Sequence, residues 1–212
     1  MSNKETLIAE YRKRKTEIKE RLREFREVWS GTDERIFAEL CFCICTPQSK
    51  AVHCDKAISG LVLSRQLYCA DECGIRKGLK AVRFPNNKAR YIVDTRGKFM
   101  SPDGMKIKER LSGPDIFSVR EGLVRNVKGI GYKEASHFLR NIGLGEDLAI
   151  LDVHILKNMV RLRLIKEKPG TITRKKYLEL EDKLRQFSKK IGIPMGELDL
   201  LFWAMETGYI FK

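Results

Sequence analysis

The sequence predicts an all-α protein. Apolar residues recur at helical spacing along most of its 212 residues. Capping residues, glycines and prolines punctuate those stretches at helix-sized intervals. No sustained two-residue alternation marks a sheet.

The first helix is expected over residues 3 to 29, where Leu7, Ile8, Tyr11, Ile18, Leu22, Phe25 and Trp29 keep one face apolar. Ser30-Gly-Thr-Asp33 breaks it, and Thr32 or Asp33 can cap the next, which runs through Phe37 to Cys45 and is ended or kinked by Pro47. Further helices fit Ser49 to Ser64, Tyr68 to Lys80 and Asn86 to Lys98. Ser101-Pro-Asp-Gly104 and Ser112-Gly-Pro-Asp115 read as turns. Short helices follow at Ser118 to Asn126 and Lys133 to Asn141, then Leu151 to Arg161, Tyr177 to Lys190 and Gly196 to Thr207. Ten or more helices are expected, without internal repeats or low-complexity linkers.

Composition bounds the function. With 42% hydrophobic and 33% charged residues, the chain is neither a disordered tail nor a membrane protein. No apolar run approaches the roughly 20 residues that span a bilayer. The start, Met1-Ser-Asn-Lys-Glu5, has no apolar signal region, so an intracellular protein is expected. Net charge is +14, with a pI near 9.6. Such a field steers polyanions and points to nucleic acid. A lysine- and glutamate-rich thermophile surface explains the number of charges less well than their imbalance.

The six cysteines are Cys41, Cys43, Cys45, Cys54, Cys69 and Cys73. None forms a C-x-x-C pair and only three histidines exist, so zinc spacing is absent. The spacing also fails the usual iron–sulfur runs. These are read as reduced core thiols; a bridge from Cys54 or Cys69 to Cys73 stays open.

The informative segment is Val127-Lys-Gly-Ile-Gly-Tyr-Lys-Glu-Ala-Ser-His-Phe-Leu139. Gly129 and Gly131 flank Ile130 between two helical patterns. Glycines there allow a positive φ and close backbone approach, and N–H groups at the following helix start can face a phosphate. Alone, the pattern is also that of an ordinary tight helix–helix turn. With Ala135 and the downstream Leu151-Asp-Val-His154, it resembles the helix-hairpin-helix DNA glycosylase superfamily. Thr46-Pro-Gln-Ser-Lys-Ala51 and Phe84-Pro-Asn-Asn-Lys-Ala-Arg-Tyr-Ile92 look like two further segments of that superfamily, in the same order. Leu198 to Lys212 resembles the end of the small archaeal-type 8-oxoguanine DNA glycosylase/lyases, its second family. The endonuclease III branch carries a cysteine-bound cluster near its C-terminus, and this chain has no cysteine after Cys73.

The resemblance implies a two-lobed fold with a central cleft holding Lys133 and Asp152. Residues 1–34 would pack with a C-terminal lobe at 147–212, and 35–146 would form a six-helix lobe ending in the helix-hairpin-helix at about 119–141. Lys133, two residues after Gly131, takes the place of the amine nucleophile. A lysine with the ordinary pKa of about 10.4 is protonated and cannot attack; burial or a cationic neighbour, with Lys128 and Arg125 near in sequence, would change that. Asp152 takes the place of the carboxylate that stabilises a cationic sugar, and the residues alone also allow a helix cap. His154 is read as packing or capping.

Gln48 resembles the residue filling the gap left by the flipped nucleotide. Arg83 and Phe84 suit a wedge and a contact to the orphaned base, with core anchoring the other reading of Phe84. Trp203 is favoured over Phe202 as the stacking wall, Met195 is a weaker opposite face, and the carboxylate of Lys212 would read a guanine edge. Gly129 and Gly131 would hold the DNA backbone. The expected reaction is removal of 8-oxoguanine from duplex DNA, then β-elimination through a lysine Schiff base. No metal or organic cofactor and no iron–sulfur cluster is required, while a monovalent cation at the hairpin carbonyls stays open. The partner is double-stranded DNA containing 8-oxoguanine; a monomer in a prokaryotic cytoplasm, at the nucleoid and off the membrane, is expected. An endonuclease III-like pyrimidine glycosylase and a non-catalytic DNA-gripping module are the alternatives.

Overall fold

Helical periodicity and capping chemistry account for nearly all of the architecture. The computed structural model describes residues 3–111 and 113–212. Among them are twelve helices and one minimal two-stranded ladder. Ser112, in one of the expected turns, lies outside the described residues. No helix among the described residues is long and apolar enough to cross a membrane. The chain divides into two compact units, Val28–Phe138 and the split unit Met1–Glu27 with Leu139–Lys212.

The Val28–Phe138 unit is built on α2 (Asp33–Cys45), whose first turn is capped by Thr32 accepting from Arg35 N–H. Its apolar run buries Ile36, Phe37, Leu40 and Cys41 through Cys45 against α3 (Ala51–Leu63), α6 (Pro85–Phe99) and α7 (Ile107–Arg110). Each large side chain so buried contributes about 2 kcal/mol. The expected Tyr68–Lys80 helix is two, α4 (Gln66–Cys69) and α5 (Glu72–Gly78). Asp71 separates them: its carboxylate accepts from Gly74 N–H at 2.8 Å and caps α5. The expected turn at 101–104 joins β1 (Met100–Ser101) to β2 (Gly104–Met105), strands too short to show alternation. Helix α7 was not expected. Helix α8 (Ile116–Asn126) starts at Asp115, which accepts from Phe117 and Ser118 N–H.

None of the six cysteines is in a disulfide; four are buried, and Cys69 and Cys73 are exposed. Burial pushes the Cys41, Cys45 and Cys54 thiols up from their usual range, which keeps them protonated.

In the split unit, the N-terminal part of α1 (Asn3–Ser30) buries Leu7, Ile18, Leu22 and Phe25. Tyr11 OH donates to Glu197 at 2.6 Å, and Arg26 makes a two-point pair with Glu146 at 2.6 and 2.8 Å. Gly143 has φ 77°, and a Cβ there would lie 2.5 Å from the Arg26 Cα. Helix α12 (Met195–Thr207), apolar nearly all round, packs against α10 (Val153–Arg161) and α11 (Arg174–Ile191). Helix α10 begins at Val153 rather than Leu151, because Asp152 is its cap. Helix α11 begins at Arg174, capped by Thr173.

Candidate active site

The hairpin joins α8 to α9 (Tyr132–Asn141). Arg120 on α8 is 1% exposed, donates to Ser136 Oγ at 3.1 Å and lies over the Tyr132 ring. Tyr132 OH in turn donates to Glu121 at 2.6 Å. The two helices are therefore clamped, and the loop between them is fixed. Gly129 has φ 86°, and a Cβ there would sit 2.3 Å from the Tyr91 ring. Only glycine meets both demands. Ile130 is 8% exposed and anchors the loop. Gly131 is less constrained: its N–H donates to Glu134 Oε2 at 3.0 Å, the return bond of a capping box. Lys133 thus stands in the first turn of a well-anchored helix. Its side chain is 28% exposed, and Nζ lies 3.1 Å from Glu134 Oε1.

Lys128 Nζ is 4.0 Å from Asp94. Lys88 on α6 has a pKa pushed below the usual lysine value, by burial first and by Lys133 in smaller part.

Asp152 is set by the segment before it. Leu148-Ala-Ile-Leu151 is buried throughout. Ala149 N–H donates to Glu181 at 2.8 Å and Ala149 C=O accepts from Tyr177 OH at 2.6 Å, so α11 pins this strand-like run. Asp152 Oδ1 accepts from His154 N–H at 2.9 Å and Ile155 N–H at 2.8 Å. A carboxylate held this way is fixed in place at a helix N-terminus. Asp199 on α12 is 6% exposed and pairs with Arg140 at 3.2 Å. Burial pushes its carboxyl up to about 7; Arg140 opposes the shift and the charge of Asp152 adds to it.

The residues expected to enter DNA come together at the start of α6, where Phe84 is the cap and Arg83 bonds the neighbour of Gln48. Gln48 is exposed with φ 56°; Phe84 is 49% exposed with φ 57°, so it is no core anchor. The Arg83 guanidinium lies 5.1 Å from the Phe84 ring centroid, and Arg83 N–H donates to Ser49 Oγ at 3.0 Å.

The last helix separates two neighbours in sequence. Phe202 is fully buried, whereas Trp203 is half-buried. Trp203 meets His154 edge-on at 6.3 Å and Tyr209 edge-on at 5.2 Å, and stacks with Phe211 at 6.2 Å. Ile210, 6% exposed, docks the tail, and Arg14 donates to Gly208 C=O at 3.4 Å. Lys212 ends this tail, half-buried. Met195 is not brought to Trp203. It is 5% exposed at the start of α12, about 12 Å back along the axis.

A family model described as 8-oxoguanine DNA glycosylase matches residues 18–193. The chain belongs to this family. An 8-oxoguanine DNA glycosylase/AP lyase of Fusobacterium nucleatum is 46% identical over 204 residues, covering 95% of this chain and 94% of its own. The Methanocaldococcus jannaschii relative of the same name is 39% identical over 203 residues, covering 92% and 91%. Among solved structures, the Methanocaldococcus jannaschii glycosylase/lyase in complex with a 15mer DNA containing 8-oxoguanine superposes with a TM-score of 0.88 at 36% identity, over 98% of this chain and all of that one. The Thermotoga maritima 8-oxoguanine DNA glycosylase gives the same score and identity over 99% and 98%. The all-α helix-hairpin-helix fold is thus shared across the 8-oxoguanine DNA glycosylase family.

Several groups in this family member were not singled out from sequence. Glu134 carried a signal, since Gly131-x-x-Glu134 has capping-box spacing. Lys88 lies inside the Phe84–Ile92 motif, where nothing in its spacing gave it a role of its own. Tyr177, Glu181, Arg140 and Asp199 carry no local signal, because their partners are far away in sequence.

Proposed function

We propose that this chain excises 8-oxoguanine from duplex DNA and then cuts the abasic strand by β-elimination, with Lys133 as the Schiff-base amine. Its membership of the 8-oxoguanine DNA glycosylase family makes it a DNA glycosylase with AP lyase activity. One observation carries the assignment to Lys133: its amine stands in the first turn of α9, two residues after Gly131 and only partly exposed.

In this reading the base is flipped out of the stack, at about a few kcal/mol. The neutral Lys133 amine attacks C1′ and the bond to the base breaks, with the electron pair leaving on the base. Glu134 Oε1, 3.1 Å from Nζ, is placed to receive the ammonium proton. The Asp152 carboxylate offsets the positive charge that grows on the sugar. Opening of the sugar ring leaves a protonated Schiff base. Loss of a C2′ proton then expels the 3′ phosphate.

Gln48, Arg83 and Phe84 are the group that enters the opened duplex, supported by their exposure and shared position. Gly129 and Gly131 present the hairpin backbone to phosphate. Trp203 is the stacking wall and Lys212 the reader of the guanine edge, supported by the docked tail. Met195 supports the pocket only from the core. The working partner is double-stranded DNA, met by a monomer at a prokaryotic nucleoid in the cytoplasm. The steps require no metal or organic cofactor, and a monovalent cation at the hairpin carbonyls stays open.

Duplexes carrying one lesion each test the reading. Strand cleavage at 8-oxoguanine should exceed that at an oxidised pyrimidine by at least about tenfold. Equal or reversed preference would favour the endonuclease III-like alternative, and binding without cleavage the gripping module.

A further inference from the structure

Gln48 and Phe84 share an uncommon backbone. Both are exposed, and both are left-handed, with φ 56° and 57°. That conformation is disfavoured for any residue bearing a Cβ, and it persists where surrounding groups over-determine it. One side chain reaches both positions, the Gln48 segment directly and Phe84 by way of Ser49 and Arg83. Lys88 is 4% exposed. Its Nζ donates to Cys45 C=O at 2.6 Å, Pro47 C=O at 2.8 Å and Ser49 Oγ at 3.0 Å. An ammonium has three N–H bonds, and these three oxygens match them. Pro47 and Ser49 bracket Gln48. Ser49 Oγ also accepts from Arg83 N–H at 3.0 Å, and Lys88 N–H donates to Phe84 C=O at 3.2 Å one turn back. Burying an ammonium is costly, and an apolar residue would fill a core position without that cost. Here the cation instead ties two distant pieces of chain through their backbones.

We propose that Lys88 is a positioning residue for base extrusion, locking Gln48 and Phe84 into one rigid pair shaped before DNA arrives. The inference rests on the role given above to Gln48 and Phe84. A wedge that is already ordered loses no conformational freedom on entering the stack. Lys88 itself takes no part in bond making, and Lys133 is only a minor influence on it, so substrates that need no extrusion should register its loss little.

The test compares wild type with Lys88→Met in single turnover on two substrates. One is 8-oxoguanine in a duplex. The other is a preformed abasic site in single-stranded DNA, read by borohydride trapping at Lys133. Excision from the duplex should fall at least about tenfold, as for a misplaced positioning group, while single-strand cleavage stays within about twofold. A Gln48→Ala/Lys88→Met double variant should lose little more than Lys88→Met alone, because the two act as a unit. Ser49→Ala, which removes one acceptor and the tie to Arg83, should show the same selective loss in smaller degree; should Lys88→Met fail to fold, Ser49→Ala decides. Equal slowing on both substrates, or no slowing on the duplex, would overturn the proposal. Failure of the wild-type chain to trap at all would instead remove the Lys133 reading, while wild-type duplex excision keeps the Lys88 comparison in force.

Discussion

Asp152 joins two roles in one carboxylate, and the roles separate by substitution. Oδ1 accepts two backbone N–H bonds as the cap of α10. Asparagine caps a helix about as well as aspartate, but it lacks the charge that stabilises a cationic sugar. Asp152→Asn should therefore keep its melting temperature and lose excision by about 10²-fold or more. Paired thermal melts and single-turnover excision check this; a normal rate in the folded variant would leave Asp152 as a cap alone. At this scale the sequence singled out Lys133 and Asp152 as candidates, since each occupies a fixed place in a short motif. Lys88 was not legible as a tie, because its acceptors at Cys45, Pro47 and Ser49 lie some forty residues upstream. Likewise nothing local says that Tyr177 and Glu181 hold the segment before Asp152.

The two hairpin glycines look alike in the sequence and differ in the fold. Gly129 combines φ 86° with a Tyr91 ring that would stand 2.3 Å from any Cβ, whereas Gly131 would meet only Glu134 Oε2 at 3.4 Å. Gly129→Ala should cost about 2 kcal/mol or more, from left-handed backbone and overpacking together, and weaken duplex binding. Gly131→Ala should be nearly silent in a denaturation experiment. Equal effects would mean that the loop is not held as described. Helix boundaries were legible where a cap or proline stood alone, as at Thr32 and Pro47. They were missed where apolar spacing continued through a cap, as at Asp71 between α4 and α5, and at Asp152, where an apolar run leads into α10. The ladder at Met100–Met105 has two residues per strand, which no alternation pattern can reveal.

Across the whole molecule the dominant feature is the net charge of +14. Surface pairs such as Arg21–Glu24 and Lys176–Glu179 neutralise locally and contribute little to stability. The surplus is left for a polyanion. Binding to undamaged duplex should weaken steeply between about 50 and 200 mM salt, with a log–log slope near −0.9 per phosphate neutralised. A flat titration would place the surplus away from the DNA surface.

One amine carries the proposed chemistry of the whole molecule. Borohydride added during reaction with an 8-oxoguanine duplex should link wild-type protein covalently to DNA, and peptide mapping should place the link on Lys133. Lys133→Gln should remain folded, bind the duplex and form no adduct. An adduct formed by Lys133→Gln at the wild-type rate would contradict this chemistry, because another amine would then be the nucleophile.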